Sequence, residues 1–307
     1  MFLPLDLPTP LERAPEGLAA GRVLWLKRED GNELGAFKWR GALPTMQRWR
    51  ERGVSTVVTA STGNHGAAVA WAARRLGIPA IVYAPGGASH EKILLIEGLG
   101  ARIRFVGSNL DDAKEPARAF AQSQRLPFFE DGAEPDQYEG YGRIAEEILD
   151  QSETAPGAIV VPVGNGALAG GIGLVVKRRS PKTLVVGVAA REAPVMEMSW
   201  RAGQPVPCDR MATFADGLAV RVAIPLAVQH LQEVVDKMVL VSERAIAQAV
   251  SDFARVDRRV EGAAAAGLAA LPQVPDVAGP IVLVVTGCNI DQDLWSRAVE
   301  MPASFPD

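Results

Sequence analysis

The chain has 307 residues, 48% of them hydrophobic and 22% charged, with a formal net charge of -4. That balance is ordinary for a soluble protein and long enough to bury a core without covalent staples, in about two domains. A mildly acidic chain leaves no electrostatic case for nucleic acid or for an anionic membrane.

The opening MFLPLDLPTP has no basic segment followed by an apolar run, so no signal peptide is expected. The two cysteines, Cys208 and Cys288, lie far apart and match no metal-ligand spacing. Such sparse usage fits a reducing cytosol better than a disulfide, and no metal site is expected.

Short β-rich runs alternate with helical stretches. VSTVVTA (54–60) reads as a strand bounded by the turn-forming STGN, and 64–76 as a helix with Ala68, Trp71, Ala72 and Leu76 on one face. IPAIVYAP (78–85) is a strand, EKILLIEGLG (91–100) a glycine-ended helix, and ARIRFVG (101–107) a strand. A helix near 110–124, a short strand LPFFED (126–131) and a helix near 136–150 follow.

The stretch 158–176 is long and uncharged enough to suggest a membrane span. Pro162, Asn165 and several glycines interrupt it, so a buried strand, a glycine loop and a buried helix explain it better. TLVVGVAA (183–190) is the next strand, and 238–256 passes from strand to helix with Ser242 as N-cap. The segment 205–214 is the least regular. The last helix is expected near 262–271 and the final strand at PIVLVVTG (280–287). Apolar strands alternating with helices predict an α/β chain of mostly parallel sheets, covered on both faces.

Four segments carry chemistry. In LKREDGNELGAFKWRGA (26–42), Lys38 lies between Phe37 and Trp39. An amine in apolar surroundings has its charged form disfavoured and becomes nucleophilic, as imine formation with an aldehyde requires. The plainer reading is a lysine whose stem packs while its ammonium reaches water. STGNHG (61–66) lies between a strand end and a helix start, where small residues let amides face an anion such as a carboxylate. The plainer alternative has Ser61 or Thr62 as a cap and His65 as a polar residue of the first turn.

VGNGALAGG (163–171) follows an apolar strand, and the amides of Gly164, Asn165, Gly166, Ala167 and Leu168 can surround a phosphate. It also fits the loose dinucleotide pattern, or merely tight packing of a glycine-rich helix on a sheet. In VVTGCNID (284–291), Thr286 can offer a hydroxyl to a ring nitrogen or simply close a strand. Glu261, opening EGAAAAGLAAL, is a helix N-terminal charge or lines a site.

In this order, from TPLERA (9–14) to TGCNID (286–291), the segments resemble the fold-type II pyridoxal-phosphate enzymes, with KRED…GAFKWRGA the most specific part and STGNHG next. These enzymes include threonine and serine dehydratases, serine racemase, threonine synthase and diaminopropionate ammonia-lyase. TFADGLAV (213–220) resembles the dehydratase and racemase branch.

The resemblance implies two three-layer α/β domains of the tryptophan synthase β kind, with the cofactor in the cleft between them. A large domain of 1–38 and 131–307 is expected with a small mobile domain of 39–130. It also implies a cytoplasmic homodimer. Lys38 would carry pyridoxal 5'-phosphate as a Schiff base, Phe37 pack beside its ring, and Asn64 bond the ring hydroxyl. Ser61, Thr62, Gly63, Asn64 and His65 would hold the substrate. Gly164 to Leu168 would cradle the phosphate, Thr286 face the ring nitrogen, and Glu261 lie near the ring. The implied reaction is β-elimination from serine, threonine or a 3-hydroxy relative, giving a 2-oxo acid and ammonia. Threonine-synthase-like replacement and racemisation are the alternatives on the same scaffold.

The resemblance has three departures. GNGAL interrupts the family's glycine run, TGCN replaces SGGN, and MATF stands where some relatives have an acidic cation ligand, so no such site is expected. A nicotinamide-dependent oxidoreductase built on GNGALA would leave GAFKWRGA and STGNHG without a purpose.

Overall fold

The computed structural model describes residues 7–19 and 21–307; the first six residues of the opening segment read above lie outside them. Among the described residues there are nine strands: β1 (Leu11–Arg13), β2 (Leu24–Arg28), β3 (Val57–Ala60), β4 (Ala80–Ala84), β5 (Arg102–Phe105), β6 (Ala158–Pro162), β7 (Leu184–Ala190), β8 (Lys237–Val241) and β9 (Ile281–Val285). The chain divides into two compact units, Met1–Phe37 with Tyr141–Asp307, and Lys38–Gly140.

The first unit holds a six-stranded sheet in the order β1-β2-β9-β6-β7-β8. Every pairing is parallel except the β1-β2 edge. β6 and β9 lie inside the sheet and are buried along their whole length, which is why AIVVP and IVLVV are unbroken apolar runs. Parallel neighbours release their loops at the same sheet edge. The glycine loop after β6 and Thr286 after β9 therefore emerge side by side, the register pairing Val160 with Leu283.

The second unit holds the parallel sheet β3-β4-β5. The strand expected at 126–131 is reduced to one parallel bridge, Val58 with Phe128. Val58 N donates to Pro127 O and Phe129 N donates to Val58 O, but Pro127 has no N–H with which to extend the ladder. The helix Asn64–Leu76 matches its expected span and ends on Gly77 at φ 68°. The helix Leu110–Gln124 likewise matches, with Asn109 Oδ1 accepting from Asp112 N at its start. Ser242 caps the helix Glu243–Ala254 by accepting from Ala245 N.

The helix at 262–271 is shorter than expected, Gly262–Ala269, and it is not the last, because Gln292–Glu300 follows β9. That final helix packs Leu294, Trp295, Ala298 and Val299 on one face against the core, a short amphipathic pattern within nine residues. The stretch 158–176 resolves into β6, the glycine loop and the helix Ala167–Arg179, and no helix of the described residues is long and apolar enough to cross a membrane.

A charged network anchors the first strands. Lys27 on β2 is fully buried and donates from Nζ to Thr9 O and to Glu147 Oε2, each at 2.6 Å. Thr9 Oγ1 donates to Glu29 Oε1 at 2.5 Å. Breaking a buried pair from one side leaves an uncompensated charge. Glu147→Ala is expected to destabilise the protein by about 3 kcal/mol, read as a lower urea midpoint at unchanged slope.

Candidate active site

In the first unit the glycine loop is shaped by close backbone approach. Val163 N donates to Val188 O at 2.7 Å, holding the loop's start to the sheet. A Cβ on Gly164 would lie 2.2 Å from Gly217 O, so glycine is required where this loop meets the TFADG segment. Gly166, at φ 93°, precedes the helix Ala167–Arg179 and turns the chain into it. The first-turn amides of that helix have no carbonyl inside it to bond, and its last turn carries Lys177, Arg178 and Arg179, which complement the dipole. Asn165 Oδ1 accepts from Ala167 N at 3.1 Å, so one expected phosphate donor is held by the loop's own side chain.

On the neighbouring strand, Thr286 is buried and its Oγ1 lies 3.4 Å from Glu261 Oε1. Glu261 N donates to Gly287 O, and a Cβ on Gly287 would meet the Glu261 carboxylate at 2.8 to 3.0 Å. This explains the glycine after Thr286. Phe37 N donates to Thr286 O, and the Phe37 ring packs 5.1 Å from that of Tyr141. Cys288, unexplained in the sequence, leans on Asp30 O at 3.7 Å; burial pushes its thiol up to about 11, away from nucleophilic chemistry. The structure thus gathers Phe37, Glu261, Thr286 and the loop 164–168 on one unit.

The second unit holds the remaining expected residues. Ser61, just past β3, accepts through Oγ from Gly63 N at 3.2 Å and Gly66 N at 3.0 Å. The N-cap is Gly63, not Ser61 or Thr62, but Ser61 Oγ satisfies the first-turn amide of Gly66, and its own proton remains available to an anion at the helix start. Thr62, Gly63 and Asn64 are half-exposed there, while His65 is buried. The His65 ring turns inward, edge-on to Phe129 at 5.0 Å, with Nε2 near Thr59 Oγ1 and Phe129 O. Burial lowers its pKa.

Lys38 precedes the helix Trp39–Glu51. The apolar surroundings expected for its amine are not what the structure shows. Nζ donates to Asp131 Oδ2 at 2.5 Å. Burial alone would raise the Asp131 pKa, but the charge of Lys38 and the hydrogen bonds from Lys38 and Gln137 hold it well below the usual carboxylate range.

Asp131 is the residue that motif reading missed. Its signal is positional. The parallel bridge pairs Val58 with Phe128, so three residues beyond each lie Ser61 and Asp131, both past the C-terminal end of the same sheet.

Known proteins resemble this chain over most of its length. The family described as pyridoxal-phosphate dependent enzyme matches residues 3–287. A biosynthetic L-threonine dehydratase of Pasteurella multocida is 33% identical over 277 residues, covering 88% of this chain and 54% of that one. An L-threonine ammonia-lyase of Thermotoga maritima is 34% identical over 285 residues, covering 91% and 70%. The chain therefore spans about half the length of the first relative. Among solved structures, the processed form of threonine deaminase isoform 2 from Solanum lycopersicum superposes with a TM-score of 0.89 at 29% identity, covering 97% of this chain and 89% of that one. This chain belongs to the pyridoxal-phosphate dependent enzyme family, and pyridoxal 5'-phosphate is its cofactor.

Proposed function

We propose that the protein is a lyase that eliminates the β-hydroxyl of serine, threonine or a 3-hydroxy relative and releases a 2-oxo acid and ammonia. One observation carries this reading: an amine paired with a carboxylate, on the same unit as a helix N-terminus suited to a substrate carboxylate. The names of the relatives support it. A cytoplasmic homodimer belongs to the same proposal by resemblance.

The residues fit the cofactor. Gly164, Gly166 and the first-turn amides of Ala167–Arg179 form a cradle that a Cβ at Gly164 would disrupt, and this suits a phosphate. The Thr286 hydroxyl suits a ring nitrogen, Phe37 a ring face, Asn64 a ring hydroxyl, and Glu261 the ring's surroundings. Lys38 supplies the amine that joins the aldehyde carbon. When bound, the cofactor's ring delocalises the electrons left as the substrate α-proton departs.

The protein's own groups do the rest. Ser61, Thr62, Gly63 and their amides hold the substrate carboxylate. The Lys38 amine takes the α-proton as general base. The β-hydroxyl leaves as water once protonated. The enamine released becomes an imine, takes up one water and loses ammonia.

Lys38→Ala is expected to lose both the visible absorbance of the bound cofactor and all turnover; a variant keeping both would end this reading. Gly164→Ala should weaken cofactor retention about tenfold or more in equilibrium dialysis, because its Cβ cannot coexist with Gly217 O. Release of ammonia and 2-oxo acid is expected from serine or threonine in a panel that also holds hydroxyaspartate and diaminopropionate. Exchange of β-substituents, or turnover of O-phosphohomoserine instead, would overturn the elimination.

A further inference from the structure

Asp131 belongs to no motif, yet its carboxylate is approached from three directions within the second unit. Lys38 Nζ donates to Oδ2 at 2.5 Å, Gln137 Nε2 donates to Oδ1 at 3.1 Å, and His65 Nδ1 stands 3.6 Å from Oδ1. Gln137 is itself oriented, since its Oε1 accepts from Gly132 N at 2.8 Å.

The neighbours of His65 decide its tautomer. Thr59 Oγ1 donates its one proton to Phe129 O at 2.8 Å, and a carbonyl only accepts. Nε2 lies 3.2 and 3.3 Å from those same two oxygens, so Nε2 carries the hydrogen. Nδ1 is then a buried lone pair, without a hydrogen-bond partner, facing the carboxylate. A neutral His65 leaves the Asp131 charge to be balanced by the Lys38 ammonium.

Other titratable groups surround this cluster. Tyr138 donates to Gly132 O, and burial together with Asp131 pushes its pKa above the ordinary range. Lys114 acts on His65 from the helix Leu110–Gln124. On the loop of Asp131, Glu130 pairs with Arg118 at 2.5 Å and burial raises Glu134, while Asp136, in the first turn of the helix Pro135–Gln151, pairs with Arg48.

We propose that Asp131 is a positioning residue that fixes the Lys38 amine and stabilises the positive charge Nζ acquires on taking the substrate α-proton. In that step the Cα–H bond breaks, an N–H bond forms, and the electron pair stays with the substrate. Asp131 neither gains nor loses a proton. A charge already in place where another develops is worth roughly 10²–10³ in rate. The kinetic part of this inference rests on the elimination reading above; its spectroscopic part needs only the bound cofactor.

The test compares the wild-type holoenzyme with Asp131→Asn, Asp131→Glu and Gln137→Ala. A carboxylate favours the protonated form of the neighbouring nitrogen. In Asp131→Asn, the pH at which the visible band of the resting holoenzyme titrates should therefore fall by about one unit or more. Its kcat should drop about 100-fold with KM changed less than threefold. Asp131→Glu should restore part of both, and Gln137→Ala should move the band in the same direction by less. An unmoved titration in Asp131→Asn, or kcat within threefold of wild type, overturns the proposal. Should the aspartate variants not fold, an unmoved band in Gln137→Ala overturns it and a downward shift supports it. If no amino acid is turned over at all, the elimination reading fails while the band titration still decides the role of Asp131.

Discussion

Parallel pairing is the constraint on which the rest of this protein depends. Parallel strands need long crossovers, so each sheet has one edge at which all its mutually parallel strands end and a loop begins. In the first unit that rule puts the loop after β6 beside the turn after β9. In the second it puts Ser61 and Asp131 abreast. Residues more than a hundred positions apart in the first unit, and seventy in the second, become neighbours without any special contact to draw them together.

Close backbone approach then converts position into shape. The carbonyl of Gly217 occupies the space where a side chain at 164 would be, and the Glu261 carboxylate occupies the same space at 287. These glycines are complements of specific groups, not flexible hinges. The TFADG segment supplies that carbonyl. Glu261 both opens the helix Gly262–Ala269 and faces Thr286.

Most of the architecture was legible because burial on both faces leaves unbroken apolar runs, and because caps such as Asn109 and Ser242 act locally. The failures have local causes too. β2 contains the fully buried Lys27, and a lysine breaks the apolar signal of LWLKR. The helix Gln292–Glu300 is only nine residues long, with four apolar side chains on its packed face, and Pro127 cuts a strand down to a bridge. At the site, residues in compact motifs could be named from sequence, since loop amides and a flanked lysine are local patterns. Asp131 could not, because it meets Lys38 across 93 residues of sequence and shares no local pattern with it.

The two lysine–carboxylate pairs show why burial alone does not mark a reactive group. Lys27–Glu147 and Lys38–Asp131 have almost the same separation, 2.6 and 2.5 Å. Lys27 is fully buried and shares its protons between a carboxylate and the Thr9 carbonyl, so its charge is satisfied and sealed, and its role is to tie the first strands to a helix. Lys38 and Asp131 keep 16% and 24% side-chain exposure. Their pair can be reached by a small molecule and opened by a reaction that consumes the amine. An ion pair that is strong when closed and accessible enough to be replaced suits a group that must form, lose and regain a covalent bond in each turnover. The same pair sealed from solvent could only be structural.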